Sequence, residues 1–237
     1  MPPRHGRYGI DAPYVPAMMA LGALACFGLD LLPSLHGLWI SGAIIAAMLA
    51  LYLHTSLRGK FAAWSQVLER AGLRGDEHLL DLGCGRGAVL LMAAQRLPRG
   101  QATGIDIWSG RDQSGNAIER TRRNAELEGV AERVTLQTAD MRELPFADGS
   151  FEVIVSSLAI HNIPVAGQRQ RAIDEAWRVL RPCGRLLLAD MRHTGAYAQR
   201  LQVLGATGLH VRSLGWRTWW GGPWLPTRLV EAVKPGA

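Results

Sequence analysis

Asp81, Gly83, Gly85 and Gly87 alternate along Asp81-Leu82-Gly83-Cys84-Gly85-Arg86-Gly87. The apolar run before them reads as a buried strand beginning at His78. Ala88–Leu97 after them reads as a helix closed by Pro98. A strand feeding a glycine-dense turn and a helix start lets backbone approach a nucleotide-like ligand closely, with free N–H groups of the first helical turn facing it. Asp81, two residues before the first glycine, adds a fixed negative charge. That charge attracts an ammonium group and repels a pyrophosphate.

Two ligand classes compete for this turn. Gly83, Gly85 and Ala88 also satisfy the dinucleotide pattern G-x-G-x-x-G/A, which leaves a nicotinamide-dependent oxidoreductase as the alternative enzyme. The acid argues for the other class, because a dinucleotide site usually has an apolar residue there. The spacing Asp81-x-Gly83-x-Gly85-x-Gly87 resembles motif I of class I S-adenosylmethionine-dependent methyltransferases, and Cys84 lies within it.

The elements that must position this turn follow in order. Gly59–Gly72 carries Phe61, Trp64, Val67, Leu68 and Ala71 at helical spacing, which predicts an amphipathic helix packed on the core. Gln101–Ile107 is a second strand ended by Asp106, where an acid over the carboxyl edge of an open α/β sheet accepts both ribose hydroxyls. Ile107 and Trp108 follow, placed to pack on an adenine face. A loop at Ser109–Ser114 and a helix at Asn116–Glu128 lead to a third strand, Arg133–Thr138, then to Ala139-Asp140-Met141. By the resemblance, Asp140 binds the adenine amino group and Met141 flanks the same ligand. Acids at three successive strand ends (81, 106, 140) are more specific than any glycine pattern.

A fourth strand, Phe151–Leu158, includes Ser156, assigned to the cofactor side, and runs into His161 and Asn162. Glu152 stands where the family more often has Asp. Ala172–Leu180 reads as a helix stopped by Arg181-Pro182-Cys183-Gly184, followed by a fifth strand at Arg185–Asp190. Here the family often has Gly in place of Cys183. The tail predicts a helix near Gly195–Leu204 and an antiparallel pair, Leu209–Ser213 and Thr227–Val233. Between these strands, Trp216, Trp219, Trp220 and Trp224 are four of the chain's eight tryptophans. Such a loop completes a core, touches a membrane interface or walls an apolar pocket. The resemblance runs from about Trp64 to Asp190, with a weaker tail to Pro235. It implies a Rossmann-like α/β fold with seven mostly parallel strands, the last antiparallel, flanked by helices.

The first quarter of the chain is of another kind. From Tyr14 to Leu57 the only charged residue is Asp30, and two apolar runs, Val15–Leu32 and Leu38–Leu57, flank Pro33-Ser34-Leu35-His36-Gly37. Each is near the roughly 20 residues that cross a bilayer core. Arg4 and Arg7 precede the pair and Arg58 and Lys60 follow it, so both ends and the catalytic domain face the cytoplasm by the positive-inside rule. A shallow in-plane insertion and a soluble helical cap are the alternatives. The expected organisation is an N-terminal segment (1–14), a transmembrane hairpin (15–57) and a methyltransferase domain (58–237), located at the inner (cytoplasmic) membrane. The hairpin also leaves a homo-oligomer open. In this fold the N-terminal segment often serves as the active-site lid, while a simple interfacial lead-in is the plainer alternative.

Lys and Arg total 26 against 20 Asp and Glu, a net charge of +6, yet the Arg residues are scattered rather than gathered into a nucleic-acid groove. After the fourth strand the chain reads Ser156-Ser157-Leu158, without the Asn/Asp-Pro-Pro-aromatic motif of base-modifying methyltransferases. Three distant cysteines give no metal spacing and no disulfide framework. What remains is a small-molecule or lipid-like acceptor, apolar or aromatic, carrying an N or O nucleophile.

S-adenosylmethionine as cofactor makes holding that nucleophile in line the main catalytic task. A base is needed only where the nucleophile must lose a proton. His161, following the fourth strand, is the candidate, with shaping of the pocket as its plainer role. Asn162, Tyr197, His193, Tyr14 and Trp219 are candidates for substrate contact. A non-catalytic, membrane-tethered sensor of the donor is the alternative outside enzymology.

Overall fold

A computed structural model describes residues 4–109 and 116–236, so most of the loop expected at Ser109–Ser114 lies outside the described residues. Two apolar helices come first, α1 (Tyr14–Leu29) and α2 (Leu38–His54), joined by a short 3₁₀ turn at Pro33–Leu35. The core strands and helices are β1 (His78–Leu82), α4 (Ala88–Ala94), β2 (Gln101–Asp106), α5 (Ile118–Leu127), β3 (Val134–Thr138) and β4 (Phe151–Ser157). They continue with α6 (Ala166–Val179), β5 (Leu180–Asp190), α7 (Thr194–Val203), β6 (Thr207–Ser213) and β7 (Arg228–Val233). Preceding β1 is α3 (Lys60–Arg70).

The strands form one seven-stranded sheet in the order β3-β2-β1-β4-β5-β7-β6. β7 runs antiparallel to both neighbours and the others pair parallel. The order reverses beside β1, which opens the crevice where ligands bind in doubly wound sheets. The core lies on both faces of the sheet. On one, Phe61, Trp64, Val67 and Leu68 of α3 pack with α4. On the other, Ile173, Ala176 and Trp177 of α6 pack with Tyr197 and Leu201 of α7. Every predicted apolar position of α3 is buried.

Two boundaries differ from the sequence reading for identifiable reasons. β5 begins at Leu180, so the expected stop at Arg181–Gly184 lies within the strand as an irregularity, with Cys183 at φ +62° and the β4–β5 register shifted between Phe151 and Val153. The expected boundary between residues 57 and 58 falls inside one continuous helix, Leu38–Arg70, because a π-turn at Thr55–Gly59 joins α2 to α3 without a break. By length and composition this is the one described helix able to cross a membrane; α1, at 16 residues, is shorter than the span expected for it. At 1.5 Å per residue α1 reaches only about 24 Å against a hydrocarbon core of about 30 Å.

α1 and α2 pack tightly where Gly42 meets the Phe27 ring, and a Cβ there would lie 2.9 Å from it. Their outer faces leave Met18, Leu21, Leu24, Trp39, Ile40 and Ile44 more than half exposed. Asp30, the acid that looks out of place in the apolar run, caps the second helix: its Oδ1 accepts the N–H of Gly37 at 2.8 Å and of Trp39 at 3.2 Å. Lys60, expected as an interfacial cation, is buried against Asp11 instead.

Candidate active site at the carboxyl edge of the sheet

Asp81 sits on β1 two residues before the first glycine and is 2% exposed. Its Oδ1 is buried and has no hydrogen-bond partner among the described residues. Burial pushes its pKa up to about 8; the Leu90 N–H opposes the shift and Asp106 adds to it. A carboxylate held this dry has a strong appetite for a cation. The turn beyond it is drawn onto β2, with the N–H groups of Gly83 and Cys84 both donating to the Ile105 carbonyl. Gly83 is obligatory there. Its φ is +72°, and a side chain would run into Ala159 at the end of β4. The Cys84 thiol is buried and raised well above its ordinary pKa by that burial, and its backbone N–H and carbonyl are engaged by Ile105 and Gly87.

Asp106, at the end of β2, accepts the N–H of Gly85 at 2.9 Å and of Trp108 at 2.6 Å. It thereby ties the glycine turn to the loop that follows β2. Trp108 has φ +57° and its indole N–H donates to Thr138 Oγ1 at 2.8 Å, which fixes the ring across the ends of β2 and β3. Ile107 beside it is exposed. Asp140 is engaged by Arg142, whose backbone N–H and guanidinium both donate to it, and these bonds hold the Asp140 carboxyl below the usual range. Met141 reaches back to Gly83. Ser156 departs from its expected role: it is buried in β4 and its hydroxyl donates to the Leu82 carbonyl at 2.9 Å, stitching β4 to β1.

His161 lies on a 3₁₀ turn, Ile160–Asn162, just past β4. Its Nδ1 is 2.6 Å from Oδ1 of Asp190 and its backbone N–H donates to Oδ2 at 3.1 Å. Asp190 ends β5, is 2% exposed, and also accepts the Met191 N–H and the Tyr197 hydroxyl. Tyr197 is therefore not a surface for substrate. It is buried, its hydroxyl bonds Asp190 at 3.2 Å, and burial followed by Asp190 raises its pKa. Asn162 is exposed beside His161, and His193 is an exposed left-handed residue capping α7. Tyr14 stands exposed at the start of α1, and Trp219 is half-buried with its carbonyl accepting from Thr55 at 2.7 Å.

Two participants, Asp190 and Trp64, escaped the sequence reading. Asp190 obeys the same rule as the other acids, a carboxylate at the carboxyl end of a strand, and that rule would have found it. Trp64 donates its indole N–H to Ser157 Oγ at 2.9 Å, so α3 braces the end of β4. The N-terminal segment, expected as a lid or as an interfacial lead-in, is a strap held over the glycine turn by α5. Glu128 accepts from His5 N, Gly6 N and the Tyr8 hydroxyl, and Asn124 Oδ1 accepts from Arg7 N. Asn124 Nδ2 in turn donates to the Arg86 carbonyl. No local pattern announces this contact, which joins segments more than a hundred residues apart.

Residues 79–184 match the family model described as a methyltransferase domain. This segment is similar to methyltransferase domains. The 27-O-demethylrifamycin SV methyltransferase of Amycolatopsis mediterranei is 38% identical over 120 residues, 50% of this chain and 40% of that protein. The ubiquinone/menaquinone biosynthesis C-methyltransferase of Roseobacter denitrificans is 34% identical over 117 residues, 49% of this chain and 43% of its own. The chain spans about half the length, or less, of the first curated relatives it matches. Among solved structures, the [4+2]-cyclase SpnF superposes with a TM-score of 0.59 at 22% identity, covering 73% of this chain and 80% of that one. A geranyl diphosphate methyltransferase gives 0.58 at 17%, covering 73% and 78%. These structures share the fold, and a cyclase among them means the fold alone does not decide the reaction.

The cofactor this likeness implies is S-adenosylmethionine, and the residues present fit it. The orphaned Asp81 carboxylate suits the ammonium of its methionine tail, Asp106 suits the ribose, and Trp108 with Asp140 suits the adenine.

Proposed function

We propose that this chain is an S-adenosylmethionine-dependent methyltransferase acting on an O–H or N–H group of an apolar, aromatic or lipid-like acceptor, and that the α1–α2 hairpin anchors it at the cytoplasmic face of a membrane. The observation that carries the reading is the contact of His161 Nδ1 with the buried carboxylate of Asp190 at the same sheet edge as the three donor acids.

Bound S-adenosylmethionine supplies a methyl group made electrophilic by its sulfonium. The work of the protein is then positional and protolytic. Asp190 Oδ1 lies 2.6 Å from Nδ1 but out of line for a hydrogen bond in this conformation; a small turn of the ring lets the carboxylate hold the proton on Nδ1 and leaves Nε2 as the acceptor for the proton lost by the nucleophile. The positive charge that develops on His161 is stabilised by the same carboxylate. A site built only to bind the donor has no use for such a pair, which favours turnover over a sensor.

An acceptor arriving from lipid is supported by where the hairpin root is fastened. Ser213 of β6 and Asp190 of β5 both pair with Arg228 of β7, so the Trp-rich loop leaves the sheet at the His161 edge. That loop meets the hairpin. Trp220 packs edge-on against Tyr52 at 5.2 Å, Gly221 abuts Met19 and Met48, and a side chain on Gly59 would overlap the Arg217 carbonyl. The exposed apolar faces of α1 and α2 and the exposed Arg58 at their root suit a hairpin embedded from the cytoplasmic side.

The test supplies detergent-solubilised protein with methyl-labelled S-adenosylmethionine and a total cell extract, then partitions the label between organic and aqueous phases. Organic-phase label that disappears with His161→Ala supports the proposal in full. Aqueous label would keep the methyltransferase and remove the lipid-like acceptor. No label despite donor binding would overturn the enzyme reading.

A further inference from the structure

A cavity of about 260 Å³ opens beneath the N-terminal strap, lined by Arg4, Gly6, Tyr8, Gly9, Leu57 and Phe61. It lies outside the catalytic edge and the reaction makes no use of it. We propose that this cavity receives the phosphate headgroup of a bilayer phospholipid; the inference rests on the membrane reading above.

The chemistry of the lining is that of an anion site set beside an apolar surface. The Arg4 guanidinium stacks 3.6 Å from the Phe61 ring centroid and donates to the Leu57 carbonyl at 3.2 Å, and it has no carboxylate ion pair among the described residues. Arg58 is close enough to repel it, and burial, the largest influence, together with Arg58 lowers the Arg4 pKa against the opposing effects of Tyr8 and Glu128. An anion in the cavity pairs with Arg4, the one cation of its lining, and offsets the repulsion from Arg58. The nearby carboxylate of Glu128 is engaged by four donors (His5 N, Gly6 N, the Tyr8 hydroxyl and Gln95 Nε2), which mutes its repulsion of that anion.

Position selects a lipid phosphate over a free one. Leu57 lies in the π-turn directly below α2 and is 45% exposed, so the cavity mouth adjoins the apolar hairpin at the level where headgroups sit. The same strap crosses the glycine turn, where Gly9 lies against Arg86. A headgroup seated here therefore holds the strap down over the donor site.

The experiment is floatation of the full chain with vesicles of phosphatidylcholine alone or with an admixture of phosphatidylglycerol. Wild-type protein is expected to float with both, about tenfold better with the anionic mixture, and to release S-adenosylmethionine more slowly on it. Arg4→Gln should abolish that preference. So should Leu57→Trp, which fills the cavity without changing charge, while Arg171→Gln on the exposed face of α6 should leave it intact. Equal floatation of wild type on both vesicles, or equal loss in Arg171→Gln, would overturn the headgroup site and leave the membrane reading standing. Failure to float with either vesicle would remove the membrane reading itself. Thermal stabilisation by inorganic phosphate without vesicles, lost in Arg4→Gln, would assign the cavity to a free anion and overturn the lipid source.

Discussion

Lys60 Nζ lies 2.6 Å from Asp11 Oδ2, with 9% and 21% of the two side chains exposed. The pair joins the strap to the first residue of α3, and Ser56 Oγ donates to the same carboxylate while the Tyr52 hydroxyl donates to the Asp11 carbonyl. Removing one partner leaves a charge with little solvent. Asp11→Asn is expected to destabilise the chain by about 3–5 kcal/mol, whereas Asp11→Asn combined with Lys60→Met should recover most of the loss. Thermal melts of the single and double variants check this coupling.

In the proposed reaction Asp190 acts through His161. Asp190→Asn should lower kcat by about 10²-fold with donor affinity unchanged, since general-base catalysis contributes roughly 10²–10⁴-fold. The deficit should shrink toward alkaline pH, where the acceptor ionises without help. A pH–rate profile separates this from a merely structural role, which would lower the rate equally at every pH.

Asp81 links donor binding to stability. Its carboxyl is raised from 3.8 to about 8 by burial, so the folded protein without donor binds more protons than the unfolded chain across that interval. The contribution of this group to stability therefore falls as pH rises from about 4 to about 8. Asp81→Asn should raise the melting temperature of the donor-free protein at pH 8–9 by on the order of a few degrees. The same change should weaken S-adenosylmethionine binding about 10- to 100-fold, because a charge-assisted bond to the ammonium is lost. Calorimetric titration and melts on one preparation test both signs.

Asp30 caps α2 through the N–H groups of Gly37 and Trp39. Asp30→Ala should cost about 0.5–2 kcal/mol, the ordinary value of a lost N-cap, and Asp30→Asn distinctly less because it keeps an acceptor. Melting in detergent, with hydrogen exchange at residues 37–41, localises the loss to the tip of the hairpin.

Much of the sheet was legible because its signals are local. Apolar runs, glycine spacing and acids at strand ends mark β1, β2 and β3 and the turn after β1 without reference to anything distant. The same locality explains the errors. Ser156 and Tyr197 sit at plausible chain positions, but whether a hydroxyl faces a ligand or a neighbouring backbone depends on packing. Lys60 looked like an interfacial charge until Asp11 came to lie beside it. The break expected after Leu57 was absent because a π-turn carries the helix onward, and nothing in Thr55–Gly59 forbids that.

From the sequence alone come the likeness to methyltransferase domains, the acids at the ends of β1 and β2 and just past β3, and an apolar hairpin ahead of them. These follow from spacing and periodicity, which the chain carries at every point. Only the tertiary structure decided that Asp190 holds His161, that the Trp-rich loop is fastened to the hairpin root, and that the strap lies over the glycine turn. Each of these joins polar or aromatic groups from distant segments. Their partners are chosen by which surfaces burial brings together, and no local pattern records that choice.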